Sequence, residues 1–173
     1  MVDPAAVTGL VCAQAALEVR VDNDVRGEVP ARLATLTAKQ LMRAQEADGD
    51  ASAYRFEHLM IRDAAYAGLL KRARVRLHEA FVVWADEANA ASDRATEFEE
   101  ILGYHLEQAY RYRVELAPLD DQGIAVGIDG AGRRGSAGRR AAARGDITAA
   151  TNLLARASRL LSTTDASRHR VLR

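Results

Sequence analysis

A mainly α-helical chain, in which a short region of mixed helix and strand precedes antiparallel helical hairpins, is the fold class that the sequence predicts. Three observations carry it. Apolar residues recur at steps of three and four from about Leu59 onward. Ala and Arg are abundant while only three prolines interrupt 173 residues, a composition that favours helices. Alternation of period two is found over residues 54–56, where it marks a short half-buried strand.

The length suffices for one domain or two small ones with a real core. Lys and Arg total 24 and so do Asp and Glu, so the balance gives no global attraction to nucleic acid or to an anionic membrane. Local imbalance exists. Arg133, Arg134, Arg139, Arg140 and Arg144 carry five positive charges, and Glu97, Glu99, Glu100 and Glu107 make an earlier helix acidic; they read as two exposed helix faces of opposite sign. Cys12 is the single cysteine, which excludes an intrachain disulfide and a metal site built on several thiolates and suits a cytoplasmic location. The first residues lack a basic segment, and Gly9, Gln14 and Glu18 break their apolar run, so neither a signal peptide nor a membrane span is expected.

Asp3 as cap and Pro4 at the first helical position predict a helix over residues 5–19, followed by a loop at Asp22-Asn23-Asp24. Pro30 opens a second helix with Leu33, Leu36, Leu41 and Met42 on one face, ending before the turn-rich Ala47-Asp48-Gly49-Asp50. Helix, turn, strand and helix in this order predict the end of a winged helix over residues 1–58, partial because the sequence offers too little strand. From Leu59 one apolar stripe runs through Tyr66, Leu69, Leu70, Ala73, Leu77, Phe81, Trp84 and Ala88. Val75, Val82 and Val83 lie off it and predict a connector helix covered on two sides.

Thr96 and Glu99 form a possible capping box for a helix with the stripe Phe98, Ile101, Leu102, His105, Leu106, Ala109 and Tyr112, and Pro118 ends that segment. Residues 59–116 thus read as the connector and first hairpin. In residues 117–173, Gly145 suits a left-handed position closing one helix and Asp146 caps the next, whose buried side is Ile147, Ala150, Leu153, Leu154, Ala157, Leu160 and Leu161. Residues 131–164 can be laid on a tetratricopeptide-like unit of about 34 residues. The polar tail after Ser162 is expected to fray, and further repeats or a cap are expected beyond Arg173.

Few motifs carry chemistry. Gly130, Gly132 and Gly135 match GxGxxG, but no βαβ unit surrounds them, and the match reads as coincidence in a glycine-weakened helix. GxxxxGK[ST] is absent, so the chain has no phosphate cradle for ATP hydrolysis of its own. His58, His78, His105 and His169 share no metal-ligand spacing; His78 and His105 read as packing residues. Glu99 and Glu100 read as a solvated face. Lys71, Arg72, Arg74 and Arg76 form a basic cluster, yet Leu77, Phe81 and Trp84 on the same helix point to protein packing rather than a DNA groove.

The stretch Tyr54-Arg55-Phe56-Glu57-His58-Leu59-Met60-Ile61-Arg62-Asp63-Ala64-Ala65-Tyr66, followed by Leu69-Leu70-Lys71 and Leu77-His78-Glu79, resembles the segment after the ATPase core in large bacterial signal-transduction ATPases of the STAND type. Gly103-Tyr104-His105-Leu106-Glu107-Gln108-Ala109-Tyr110 and Ala143-Arg144-Gly145-Asp146 with Asn152-Leu153-Leu154 extend the resemblance, which covers residues 29–173. The look-alikes are actinobacterial proteins in which such an ATPase is fused to a class III adenylyl or guanylyl cyclase or to a LuxR-type regulator. The glycine-rich run 127–138 departs from the family's more Ala-rich helix.

The resemblance implies a non-catalytic fragment holding the end of a winged helix and the start of a helical array. It lacks the phosphate-binding loop, the acidic metal-binding strand and any cyclase domain. It further implies that His58 contacts a nucleotide phosphate in the full-length parent, with ATP or ADP entering only through an ATPase core absent from this chain. No cofactor is expected in the chain itself. The expected partner is protein, either that core or another signalling protein, rather than nucleic acid or membrane. Two rival expectations are a DNA-binding winged-helix regulator and a remnant or truncated chain of a cyclase parent.

Overall fold

The computed structural model describes residues 2–9, 11–18, 26–46, 52–90 and 95–171. The expected loops at residues 22–24 and 47–50 lie outside them. The chain forms two compact units, Met1–Trp84 and Ala85–Arg173; the expected boundaries after residues 58 and 116 fall inside these units, the second coinciding with a helix end.

The first unit runs α1 (Val2–Thr8), β1 (Val11–Ala13), α2 (Gln14–Glu18), α3 (Val29–Ala38), β2 (Met42–Glu46), β3 (Ser52–Phe56) and α4 (Leu59–Gly68). The sheet is antiparallel with order β1-β3-β2 and pairs Cys12 with Tyr54 and Met42 with Phe56. The chain is thus mainly helical with a small three-stranded antiparallel sheet, as the sequence predicts, and the region before Phe56 holds more strand than the sequence reading found. Its strands escaped sequence reading for physical reasons. β1 is three residues long, and Met42-Arg43-Ala44-Gln45-Glu46 lacks the β-branched and aromatic residues that mark a strand.

Two helix expectations are corrected by backbone punctuation. The helix predicted over residues 5–19 is split because Gly9 adopts φ +133, a region open to glycine, and turns the chain into β1. The helix opened by Pro30 stops at Ala38. Gln40 takes φ 57, its N–H donates to the Thr37 carbonyl and the Leu41 N–H to the Leu36 carbonyl, a Schellman closure. Met42 then starts β2 instead of extending a helical stripe. The core gathers Ala5, Ala6, Cys12, Leu17, Val29, Leu33, Met42 and Phe56, with Ile61 and Tyr66 of α4 against it.

The expected continuous helix from Leu59 is two, α4 and α5 (Lys71–Asn89). Gly68 is a weak helix former, and Leu69 turns extended at φ −69, ψ 134, which lets it pack with Val7 and Leu77. On α5, Val75 and Val82 are buried as expected for a doubly covered helix, whereas Val83 is exposed.

The second unit contains α6 (Ala95–Leu116), α7 (Asp121–Ala143) and α8 (Ile147–Val171). The side chains of Asp3 and Thr96 lie outside the described ones, and with them both proposed caps. Asp120 caps α7 by accepting from Gly123 N–H at 2.7 Å, Gly145 adopts φ +80, and Asp146 caps α8 by accepting from Ala149 N–H at 2.9 Å. The last two meet the sequence expectation.

Helices of 22, 23 and 25 residues are longer than two helices sharing a repeat of about 34 residues would be, so residues 131–164 start a full turn or more inside α7. The tail after Ser162 stays helical to Val171 rather than fraying; Thr164 is buried and its hydroxyl donates back to the Leu160 carbonyl at 2.7 Å. The glycine run lies wholly in α7, so the GxGxxG match marks no dinucleotide turn. A Cβ at Gly127 would stand 2.5 Å from Thr164 Oγ1 and 2.8 Å from the Tyr110 ring, and one at Gly138 would stand 2.8 Å from Leu154 Cγ. These glycines let α7 approach both neighbours. Several expected stripe residues, Ile101, Ile147, Leu154 and Leu161, prove exposed.

Candidate functional site

His58 stands where β3 hands over to α4, as its cap residue. Its backbone is extended at φ −134, ψ 142, so the chain turns there and the His58 carbonyl accepts the first helical bond from Ile61 N–H at 3.0 Å. The imidazole makes no capping bond and is exposed. It borders a concavity of about 380 Å³ lined also by Thr37, Gln40, Met42, Arg43 and Glu57.

Three elements meet at this concavity. The Schellman closure of α3 brings Thr37 and the positive-φ Gln40, the first residues of β2 bring Met42 and Arg43, and Glu57 N–H donates to the Leu41 carbonyl at 3.0 Å, tying β3 to the same corner. Arg43 Nε lies 3.9 Å from Glu57 Oε2, with the two side chains 55% and 35% exposed, which makes a weak solvated pair. The Arg43 guanidinium, an imidazole and the positive end of α4 can together receive an oxyanion. Glu57 opposes a second negative charge. Nothing here pairs a nucleophile with a base, and among the described residues no group of three His, Cys, Asp or Glu side chains could hold a metal.

Sequence reading singled out His58 but missed Arg43 and Gln40. The only local signal for them was the polar run after α3, which the helical reading of Leu41 and Met42 obscured.

Of the other histidines, His78 is fully buried with Nε2 at 2.9 Å from the Tyr66 hydroxyl, and His105 is 2% exposed with its ring edge-on to Tyr104. Both sit in packing, as expected. The side chain of His169 lies outside the described ones.

The basic cluster on α5 is not one surface. Arg74 folds back, donating to the Ala67 carbonyl at 2.9 Å and placing its guanidinium 4.7 Å from the Tyr66 ring centroid, while Lys71, Arg72 and Arg76 are exposed. On α3, the helix that precedes β2, the exposed residues include Ala31, Arg32, Thr35 and Ala38, and Arg32 is bonded to Glu28 at 2.8 Å. That face offers little net positive charge to a phosphate backbone.

The two charged faces read as exposed are corrected: they meet. Arg140 Nη1 donates to Glu99 Oε2 at 2.6 Å and Arg134 Nε lies 2.7 Å from Glu107 Oε2. From outside the two sets, Arg156 Nη2 also donates to Glu107 Oε2 at 2.8 Å, and Asp86 receives a bidentate bond from Arg133 at 2.8 Å. Opposite charges on successive antiparallel helices were the available signal. Burial pushes the Glu99 carboxyl up, but bonds from Arg140 and Ser136 and the charges of Arg140 and Arg133 hold it below its usual range. Arg139 and Arg144 do remain exposed, and the side chain of Glu97 lies outside the described ones.

Arg134 is the largest fully buried side chain, 2% exposed. Gly103 makes room for it, since a Cβ there would lie 3.0 Å from Arg134 Cγ. Its Nε is 2.7 Å from Glu107 Oε2, close enough for an ion pair although the N–H is not aligned for a hydrogen bond, and Nη2 has no acceptor among the described residues. Burial lowers its pKa, opposed by the Glu107 charge, and a guanidinium stays protonated regardless.

Among the described residues no helix is long and apolar enough to cross a membrane. Compared with known proteins, the chain matches no family model, no curated protein and no solved structure.

Proposed function

We propose that the chain is a non-catalytic regulatory and protein-interaction module of a cytoplasmic signalling ATPase of the STAND type, linked to cyclic-nucleotide synthesis or transcription control. The observation that carries this reading is the exposed His58 at the start of α4, directly after a helix–strand–helix–helix–strand–strand unit. His58 would contact a phosphate of ADP or ATP held by a separate nucleotide-binding core, with Arg43 beside it. Met60 is 82% exposed and Leu59 55% exposed, so apolar surface adjoins His58 where such a core would dock.

The test mixes the chain with a STAND-type ATPase core loaded with ADP and follows nucleotide release. His58→Ala is expected to speed release about tenfold, the order expected for one hydrogen bond to a charged group; unchanged retention would remove the sensor role. The purified chain alone is expected to form no cyclic nucleotide from ATP or GTP, and clear cyclisation would overturn the non-catalytic reading. A DNA-binding role draws little support from the α3 face. A mobility shift with a steep salt dependence would revive it.

A further inference from the structure

A second concavity, of about 310 Å³, lies at the start of α8 with one residue each from α6 and α7, and is lined by Glu100, Arg134, Asp146, Thr148, Asn152 and Arg156 among others. Its charges are segregated by depth. Arg134 is 2% exposed and Arg156 has 29% of its side chain exposed, and both lean on the single carboxylate of Glu107. Two guanidinium groups share the Glu107 carboxylate, the Glu100 charge also acts on Arg134, and the Arg134 Nη2 donors are without an acceptor among the described residues. Glu100 and Asp146 are exposed. Asp146 spends one oxygen on capping α8, which leaves the other.

A guanidinium buried without its full set of acceptors carries a desolvation cost, and Arg134 lines the concavity. The volume stands at the small end of ligand sites. We infer that this concavity binds a zwitterionic small molecule, with its carboxylate on Arg134 and Arg156 and its cationic group toward Glu100 and Asp146. A dianion such as phosphate would satisfy Arg134 but meet repulsion from those two acids, and a bare cation would leave Arg134 as it is. Asn152, exposed in the same lining, offers a neutral donor and acceptor to hold the ligand's orientation.

The test is titration of the full chain, labelled with nitrogen-15, with glycine, 4-aminobutanoate, acetate, methylammonium and inorganic phosphate, following the amide signals of Thr148, Asn152 and Arg156. A zwitterion is expected to give saturable shifts, with acetate at least fivefold weaker and methylammonium and phosphate without effect. Arg156→Gln, at a partly exposed position, is expected to weaken zwitterion binding about tenfold while helicity by circular dichroism stays unchanged. Glu100→Gln is expected to narrow the gap between zwitterion and acetate without closing it, because Asp146 remains. Absence of saturable shifts with every probe overturns the site, leaving Arg134 a buried guanidinium satisfied by water. Tighter binding of phosphate or acetate than of either zwitterion overturns the role given to Glu100 and Asp146.

Discussion

Two helices of this protein end in the same pattern of hydrogen bonds with different residues at its critical position. At the end of α3, N–H groups of Gln40 and Leu41 reach Thr37 and Leu36; at the end of α7, those of Gly145 and Asp146 reach Ala142 and Ala141. The left-handed residue is Gly145 at φ +80 in one and Gln40 at φ 57 in the other. A side chain in that region costs about 1–2 kcal/mol relative to glycine. The unit with the glycine keeps the helix end relaxed, whereas the unit with glutamine holds strain beside His58. Strain of this kind is a pointer to function when it borders a site.

The contrast extends to how each unit is packed. The first closes over large side chains, with Leu17, Leu33, Met42 and Phe56 all at 1% exposure or less. The second closes by removing side chains, with Gly103, Gly127, Gly130 and Gly138 admitting their neighbours, and by pairing charges between α6, α7 and α8. Damage to the first should come from making residues smaller, and to the second from making them larger.

Phe56→Ala is the severest test of the first half of that statement. Phe56 is fully buried, ends β3 and pairs with Met42, so its loss should destabilise the first unit by about 3–5 kcal/mol. Chemical denaturation with hydrogen exchange resolved by segment should show the loss at residues 2–84 while α7 and α8 keep their protection. Equal loss of protection in both units would show that they unfold as one.

Gly127→Ala tests the second half. The added methyl would meet Thr164 Oγ1 at 2.5 Å and the Tyr110 ring at 2.8 Å, an overpacking cost of about 1–3 kcal/mol set against a helix-propensity gain of about 1 kcal/mol. A net fall in the thermal midpoint is expected. Gly132→Ala supplies the control, because nothing lies within 4 Å of its Cβ. It should raise stability by about 0.8–1 kcal/mol.

These same residues explain what could be read in advance. Gly145-Asp146 was legible because both requirements, a left-handed closure and a capping carboxylate, are local and each is written in one residue. The glycines of α7 were legible only as weakness in a helix, because what they admit, Thr164 and Tyr110, lies far off in sequence. The strand 42–46 was hidden for the converse reason: its residues favour helix, and a non-glycine residue at positive φ separates it from α3. His58 was visible through local pattern and resemblance. Arg43 joins it through the turn at Gln40, and Arg134 meets Glu107 across α6 and α7, pairings that only the tertiary fold supplies.

The helix-end comparison can be broken by exchanging its residues. Gln40→Gly should stabilise the first unit by about 1 kcal/mol and Gly145→Ala should destabilise the second by a similar amount, both read from thermal midpoints. A loss of stability in Gln40→Gly would mean that the glutamine side chain is held by contacts worth more than the strain, and Gln40 would cease to mark a functional corner.

The smallest expected effect is a dependence on acid confined to the second unit. Glu99 titrates below its usual range in the folded protein because Arg140 and Ser136 bond to it and the charges of Arg140 and Arg133 favour its ionised form, outweighing its partial burial. A carboxyl with a depressed folded pKa contributes stability that is fully present above its unfolded pKa and is lost as pH falls through the folded value. The thermal midpoint of the native chain should therefore fall faster than that of Glu99→Gln between about pH 5 and about pH 3, and the two slopes should agree near neutrality. With 27% of the Glu99 side chain and 32% of the Arg140 side chain exposed, solvent weakens the pair, so the difference should remain well below that of Gly127→Ala. Parallel slopes throughout would show that the opposed charges of α6 and α7 set which faces meet without stabilising the contact once it has formed.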